Sequence, residues 1–230
     1  MRINSAKDDA AGLQIADRLT SQINGLNQGN RNASDGIALA QTAEAGMDEI
    51  SGMLQKIRTL AVQANNGTNT TSDKQALAKE ASALATEITR IAKQTTFAGK
   101  SILHGKQKNS IDPDQAASGD NQTITLQVGS NKGDTISFNL VNLQFSKAAV
   151  AAGIQADQFK ENAPDDKAFA KDPTNNDFIK VNFTTAGMAA NLIDHMDKMI
   201  GYVDSQRADL GAIQNHESLR KQPLKSLKVA

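Results

Sequence analysis

The chain has 230 residues, with 25 basic and 25 acidic side chains and no cysteine. The balanced charge gives no electrostatic case for nucleic acid or a membrane as the main partner, and the lack of cysteine excludes disulfides and thiolate metal sites. Aromatic residues make up only 3% of the chain, which favours long helices that bury aliphatic side chains over a thick globular core. No apolar run is long enough for a signal peptide or a membrane span.

The first 64 residues predict one long helix. Apolar side chains recur at spacings of three and four, first at Leu13, Ala16, Leu19, Ile23 and Leu26, then at Ala40, Ala43, Met47, Ile50, Leu54, Ile57, Ala61 and Ala64. Several glycines weaken this pattern, so a break near residues 25–32 is the alternative. A continuous helix from about Ala10 to Ala64 is favoured because no proline or long polar loop intervenes.

A turn over residues 65–70 separates this helix from a second one. Ser72 and Gln75 match a capping box, with Ser72 as the N-cap and Gln75 three residues later. The helix that follows should run to about Gln94, with its apolar stripe at Leu77, Ala81, Leu84, Ile88 and Ile91. The short connection predicts that it lies antiparallel to the first helix.

The middle of the chain changes character. Residues 105–121 are polar and predict a loop, whereas residues 122–140 alternate apolar and polar side chains around a Gly-containing turn at 129–133 and predict a β-hairpin. Residues 141–180 are the least regular. They suggest a short helix near 146–152 and a strand near 178–183, separated by loops around Pro164 and Pro173.

The helical pattern returns near the C-terminus, from about residue 186 to residue 215, and Pro223 is expected to stop it. We therefore expect a mainly α fold with a β-hairpin and a small α+β insert. The helices should form an elongated antiparallel bundle built from the N- and C-terminal segments. The predicted parts are a helical core of 1–104 and 186–216 with the hairpin 122–140, an outer insert of 141–185, and a disordered or non-native tail of 217–230.

Several segments resemble the bacterial flagellin family, in the order in which that family carries them. They are 2–12 (RINSAKDDAAG), 31–37, 40–44, 57–64, 66–69, the hairpin segment 127–131 and the returning helix 204–215. The resemblance is strong over 2–100 and 186–215 and moderate over 122–140. Residues 141–180 match no pattern of the family, as expected of its variable, outward-facing part.

The resemblance implies a structural subunit of the flagellar filament, which lies outside the cell and is exported without a cleaved signal peptide. It also implies that this chain is a core fragment without the two terminal coiled-coil arms, and hence monomeric by itself. The partners implied are other flagellin subunits. A flagellin-like adaptor or hook–filament junction protein with a ligand-binding insert is the alternative.

Flagellins of this type also present a face of their N-terminal helices to Toll-like receptor 5 of animal hosts. The matching positions are Lys56, Leu60 and Glu80, with Gln55, Gln63, Thr68 and Asn69 nearby. On that basis, a cation, an apolar side chain and a carboxylate would form the centre of a patch rimmed by amides and a hydroxyl. Without the resemblance, Lys56 and Glu80 would be interpreted as solvated helix charges and Leu60 as a core or filament contact.

No enzyme or cofactor is expected. The three histidines, His104, His195 and His216, are scattered, show no metal-binding spacing and are expected at the surface. No nucleophile lies in a recognisable pattern with a base.

Overall fold

The structure is a computed structural model that describes residues 10–112, 121–159, 167–171, 178–185 and 187–227, with side chains described for 11–215 within these ranges. Most of the segment 2–12 and residues 113–120 of the predicted loop lie outside the described residues.

The predicted long helix is confirmed. Helix α1 runs unbroken over Ala10–Ala64, which is about 80 Å at about 1.5 Å per residue. No break occurs near residues 25–32. Helix α2 follows over Thr71–Gln94, and the C-terminal helix α4 covers Met188–Leu227.

Helices α2 and α4 both lie antiparallel to α1. Lys56 of α1 pairs with Glu80 of α2, whereas Gly46, nearer the start of α1, lies beside Thr95 just after α2. On α4 the partners of Arg58, Asp48 and Glu44 are Asp197, Arg207 and Gln214, in that order. Because the partner number rises as the α1 number falls, each neighbour runs against α1.

The core of this three-helix bundle is aliphatic. The predicted stripe of α1 from Ala40 to Ala64 is buried throughout. On α4 the buried apolar side chains are Ala189, Leu192, Met196, Met199, Val203 and Leu210. The buried face of α2 differs slightly from the predicted one, because Leu77, Leu84 and Ile91 are only partly buried. The fully buried residues of α2 are Ala78, Ala81, Ser82, Ala85, Ile88, Thr89 and Ala92.

The predicted cap of α2 is wrong by two residues. Thr70, not Ser72, is the N-cap: its hydroxyl accepts from the Asp73 N–H, and the Asp73 carboxylate accepts from the Thr70 N–H at 2.9 Å. A carboxylate three residues after a threonine closes a capping box as well as Gln does. The hydrogen bonds from Thr70 hold the pKa of Asp73 below its usual value.

The β-hairpin is confirmed, with strand β3 at Gln122–Gln127 and strand β4 at Thr135–Leu140. A smaller hairpin precedes it, formed by β1 (Thr96–Phe97) and β2 (Lys100–Ser101), and this hairpin was not predicted. Its two turn residues, Ala98 and Gly99, both have positive φ, so the turn conformation is visible only in the structure.

The larger hairpin is seated on glycines of α1. An added Cβ at Gly29 would lie 2.6 Å from the Val128 carbonyl oxygen, and one at Gly25 would lie 2.8 Å from the Ser130 Cβ. One turn further on, the Asn32 side chain donates to the Gln127 carbonyl at 2.8 Å. Two of the glycines that weaken the helix pattern, Gly25 and Gly29, therefore lie where the hairpin turn approaches the helix backbone.

The insert contains helix α3 (Phe145–Ala151), a 3₁₀ turn (Ala156–Phe159), and a short hairpin of β5 (Phe169–Lys171) and β6 (Ile179–Val181). Helix α3 and β6 were predicted. The insert has a small aromatic core, in which the rings of Phe159 and Phe169 stack at 5.0 Å and Phe145 meets Phe169 edge-on at 5.3 Å. The whole chain has few aromatic residues, but three of them are packed together in the insert.

Buried hydroxyls of α2 attach the insert to the bundle. Ser82 Oγ accepts from the Val181 N–H at 2.8 Å, and Thr89 Oγ1 accepts from the Phe145 N–H at 3.3 Å. Each hydroxyl also donates to a carbonyl one turn earlier in α2. These contacts satisfy backbone groups that would otherwise be buried without a partner.

Two features of the helix ends differ from expectation. Helix α4 does not stop at Pro223 but continues to Leu227, through most of the expected tail. Pro223 removes one backbone donor near the end of a 40-residue helix, and the remaining turns continue past it. At the start of α1, the apolar side chains Leu13, Ile15, Leu19 and Ile23 remain 36% to 58% exposed.

Candidate recognition surface on the N-terminal helices

Lys56 and Glu80 lie together on the surface between α1 and α2. Their charged atoms are 3.3 Å apart, and their side chains are 59% and 48% exposed. The two helices therefore present a cation and a carboxylate side by side, with both free to contact a partner. An ion pair this exposed contributes little to stability, so both residues can be changed without unfolding the bundle.

The structure brings together two residues of the predicted polar rim, Gln63 and Asn69. Gln55 and Gln63 are exposed on α1, and Thr68 and Asn69 lie in the turn before α2. The Asn69 side chain donates to the Gln63 carbonyl, and the Thr68 N–H donates to the Asn66 side chain at 3.3 Å. The first bond satisfies a carbonyl at the end of α1, and the second stabilises the turn that follows.

Leu60 does not match the role of an exposed apolar contact. Its side chain is only 7% exposed and belongs to the hydrophobic core of the bundle. The exposed aliphatic side chain in this part of α1 is instead Val62, at 49%. Val62 lies two turns after Gln55 on the same face of the helix. It was not among the predicted surface residues because it falls outside the apolar stripe.

A second set of polar contacts lies between α1 and α4. Arg58 donates two hydrogen bonds to Asp197, and this bonded carboxylate raises the pKa of Arg58 above its usual value. Arg207 contacts Asp48 at 2.9 Å, and the Gln214 amide donates to Glu44 at 2.9 Å. The order of these pairs along the two helices shows the register of α4 against α1.

Other kinds of site are not found in the described part of the chain. There, no group of three or more His, Asp or Glu side chains is placed to hold a metal ion, and no helix is long and apolar enough to cross a membrane. His195, expected at the surface, is half-buried with its ring 5.7 Å from that of Phe169. Burial lowers the pKa of His195, and its Nδ1 atom is buried without a hydrogen-bond partner among the residues that the structure describes.

The profile of the bacterial flagellin N-terminal helical region matches residues 1–108. The chain is 48% identical to the B-type flagellin of Pseudomonas aeruginosa over 63% of this chain and 45% identical to flagellin 1 of Proteus mirabilis over 66% of it. It spans only 27% and 38% of the lengths of these two relatives. Flagellin A of Vibrio anguillarum is 32% identical, and the match covers 94% of this chain and 74% of that relative.

Solved structures share the fold. The crystal structure of Bacillus cereus flagellin superposes with a TM-score of 0.59 and 25% identity, covering 82% of this chain and 85% of that one. A putative flagellar hook-associated protein from Vibrio parahaemolyticus superposes with a TM-score of 0.68 over 98% of this chain and 96% of that one, but is only 15% identical. The second likeness shows the fold alone, whereas the sequence match to Vibrio anguillarum flagellin A extends over nearly the whole chain. The chain therefore belongs to the bacterial flagellin family.

Proposed function

We propose that this chain is the core of a structural, non-enzymatic subunit of an extracellular flagellar filament. The observation that carries the proposal is the exposed apolar stripe of Ile15, Leu19 and Ile23, spaced four residues apart at one end of the bundle. Large apolar side chains aligned on one face of a helix form the kind of surface that a subunit buries against another polypeptide. The sequence match to flagellins supports a flagellar filament as the assembly in which this surface is buried.

Electron microscopy of assembled protein tests the proposal. The chain joined to the terminal arms of a curated flagellin should form filaments, and the dilute chain by itself should not. The double variant Leu19→Asp/Ile23→Asp in the extended chain should lose assembly. Val150→Asp is the matched control, because Val150 is a similarly exposed aliphatic residue in the insert, at 43%. If the double variant assembled as well as the control, the stripe would not be a filament contact.

The same experiment separates the filament subunit from an adaptor or hook–filament junction protein. The fold does not distinguish them, since a hook-associated protein superposes on nearly the whole chain. A junction protein would not polymerise even with both terminal arms present. The identity to flagellins, at 32% over 94% of the chain against 15% to the hook-associated protein, favours the filament subunit.

We further propose that the surface around Lys56 and Glu80 is bound by Toll-like receptor 5. Support comes from the exposure of this pair and from the rim of Gln55, Gln63, Thr68 and Asn69 beside it. The burial of Leu60 gives that residue a supporting role beneath the surface. A Leu60→Ala variant would therefore confound loss of contact with loss of packing, and the charged pair is the better target.

Binding to the purified receptor ectodomain provides the test. Glu80→Ala should weaken binding by about fivefold or more, the effect of truncating a significant interface residue. Asp197→Ala is the control, because it also removes an exposed carboxylate from an ion pair between helices of the bundle. Lys56→Arg should strengthen binding, since the guanidinium group makes paired hydrogen bonds that an ammonium group cannot. Equal affinities for the Glu80 and Asp197 variants would contradict the assignment.

A further inference from the structure

A groove of about 610 Å³ lies between α2 and the β5–β6 hairpin. Its lining includes Lys79, the neighbour of Glu80 in α2, but none of the residues assigned to the surface described above. Its base is fixed, because the buried Ser82 hydroxyl joins β6 to α2 through the Val181 N–H. The volume falls within the range of small-ligand sites in proteins. Nothing in the roles proposed above uses this groove.

The groove is lined by cations without a matching set of anions. Lys79 of α2, Lys180 of β6 and Lys167 beside β5 all line it, and none of its described lining residues is acidic. Lys167 is paired with Asp157 at 2.8 Å. Lys79 and Lys180 form no ion pair within the described part of the chain, so the described lining carries a net positive charge that favours an anionic ligand.

The remaining lining is suited to a sugar. Gln75 and Thr184 supply an amide and a hydroxyl at the rim, and the half-buried ring of Phe178 supplies an apolar face. The Asn182 side chain accepts from both the N–H and the hydroxyl of Thr184, which holds this part of the rim in place. Hydroxyl-rich rings combine polar edges with apolar C–H faces, and such a lining can contact both.

We propose that this groove binds an oligosaccharide carrying carboxylate or sulfate groups, with its anionic groups on Lys79 and Lys180 and a ring face on Phe178. An acidic peptide is the competing ligand. A peptide that adds a strand to a sheet needs free backbone donors at the edge. On β6 the Val181 N–H that faces α2 is already bonded to Ser82, so the groove offers side chains rather than a strand edge.

Calorimetric titration of the purified chain tests the proposal with three probes. A chondroitin sulfate tetrasaccharide should bind, with an affinity that falls as salt is raised, whereas neutral N-acetylchitotetraose and hexaglutamate should bind at least about tenfold more weakly. The variant Lys79→Gln/Lys180→Gln should lose about tenfold or more in affinity for the tetrasaccharide. Its thermal unfolding, followed by circular dichroism, should match that of the parent chain.

The matched control is Lys100→Gln/Lys132→Gln, which removes one exposed charge from β2 and one from the turn of the larger hairpin, both outside the groove, and should retain binding. The proposal is overturned if the tetrasaccharide shows no binding at millimolar concentration, or if the neutral tetrasaccharide binds as tightly. Tighter binding of hexaglutamate would assign the groove to acidic peptides instead. An equal loss in the control variant would show attraction to overall charge rather than to this site. None of these outcomes depends on filament assembly.

Discussion

Replacing Gly29 by alanine should destabilise the protein, although alanine is the better helix former. In an open position the change would stabilise α1 by about 1 kcal/mol. At Gly29 the new methyl group would lie 2.6 Å and 2.7 Å from the carbonyl oxygen and carbon of Val128. These are backbone atoms, so the turn of the β3–β4 hairpin must move as a unit.

Two effects of displacing the turn set the size of the destabilisation. Overpacking a tight site costs about 1–3 kcal/mol. Moving the turn also breaks the hydrogen bond from Asn32 to the Gln127 carbonyl, which contributes about 1 kcal/mol. After the gain in helix propensity is subtracted, Gly29→Ala should lower the free energy of unfolding by about 1–3 kcal/mol.

Gly52→Ala is the control, since it lies in the same helix with nothing within 4 Å of the added Cβ. It should raise the free energy of unfolding by about 0.5–1 kcal/mol. Urea denaturation followed by far-UV circular dichroism compares the two variants, and hydrogen exchange of the β3 and β4 amides reports whether the hairpin has moved. If Gly29→Ala stabilised the chain as much as Gly52→Ala, the hairpin would not be seated on α1 as described.

Three further predictions concern stability. Thr70→Ala should cost about 1 kcal/mol in urea denaturation, whereas Ser72→Ala should change stability by less than about 0.5 kcal/mol; the reverse order would restore Ser72 as the cap. Leu60→Ala should cost about 2 kcal/mol or more, and Val62→Ala less than about 0.5 kcal/mol, because only Leu60 is buried; similar melting temperatures would refute this. The pKa of His195 is lowered in the folded state, so the unfolded chain takes up its proton more readily. The contribution of the neutral His195 ring to the free energy of unfolding is therefore fully present above pH about 6.5. It declines as the pH falls through the pKa of His195 in the folded state. The difference in unfolding free energy between the parent and His195→Gln should shrink from about pH 8 to about pH 5.5, and a constant difference would contradict the assignment.

The helices and the larger hairpin could be predicted because their signals are local. The spacing of Met47, Ile50, Leu54 and Ile57 defines a helix face whatever packs on it, and the alternation in 122–140 defines two strands. Two predictions about helix ends were wrong. Thr70 rather than Ser72 is the N-cap of α2, because Thr70 and Asp73 form the capping hydrogen bonds. Pro223 does not end α4, which continues to Leu227.

The candidate surface could be predicted only in part. Spacing places Lys56 on the outside of α1, but only the packing of α2 decides that Glu80 lies beside it. The position of Leu60 at the edge of a wide stripe allowed either burial or exposure, and the contact with neighbouring helices settled it as buried. The groove beside Lys79 depends on β5 and β6 folding back onto α2, and no short-range pattern in the sequence indicates that contact.

The unbroken length of α1 has a mechanical consequence. Sharp kinks in a helix arise at a proline or at an interruption of its hydrogen bonds, and α1 has neither between Ala10 and Ala64. A load applied near Leu19 would therefore pass along α1 toward the surface around Lys56 as a gentle curve spread over the whole helix. No single residue of α1 would act as a hinge between the apolar end and that surface.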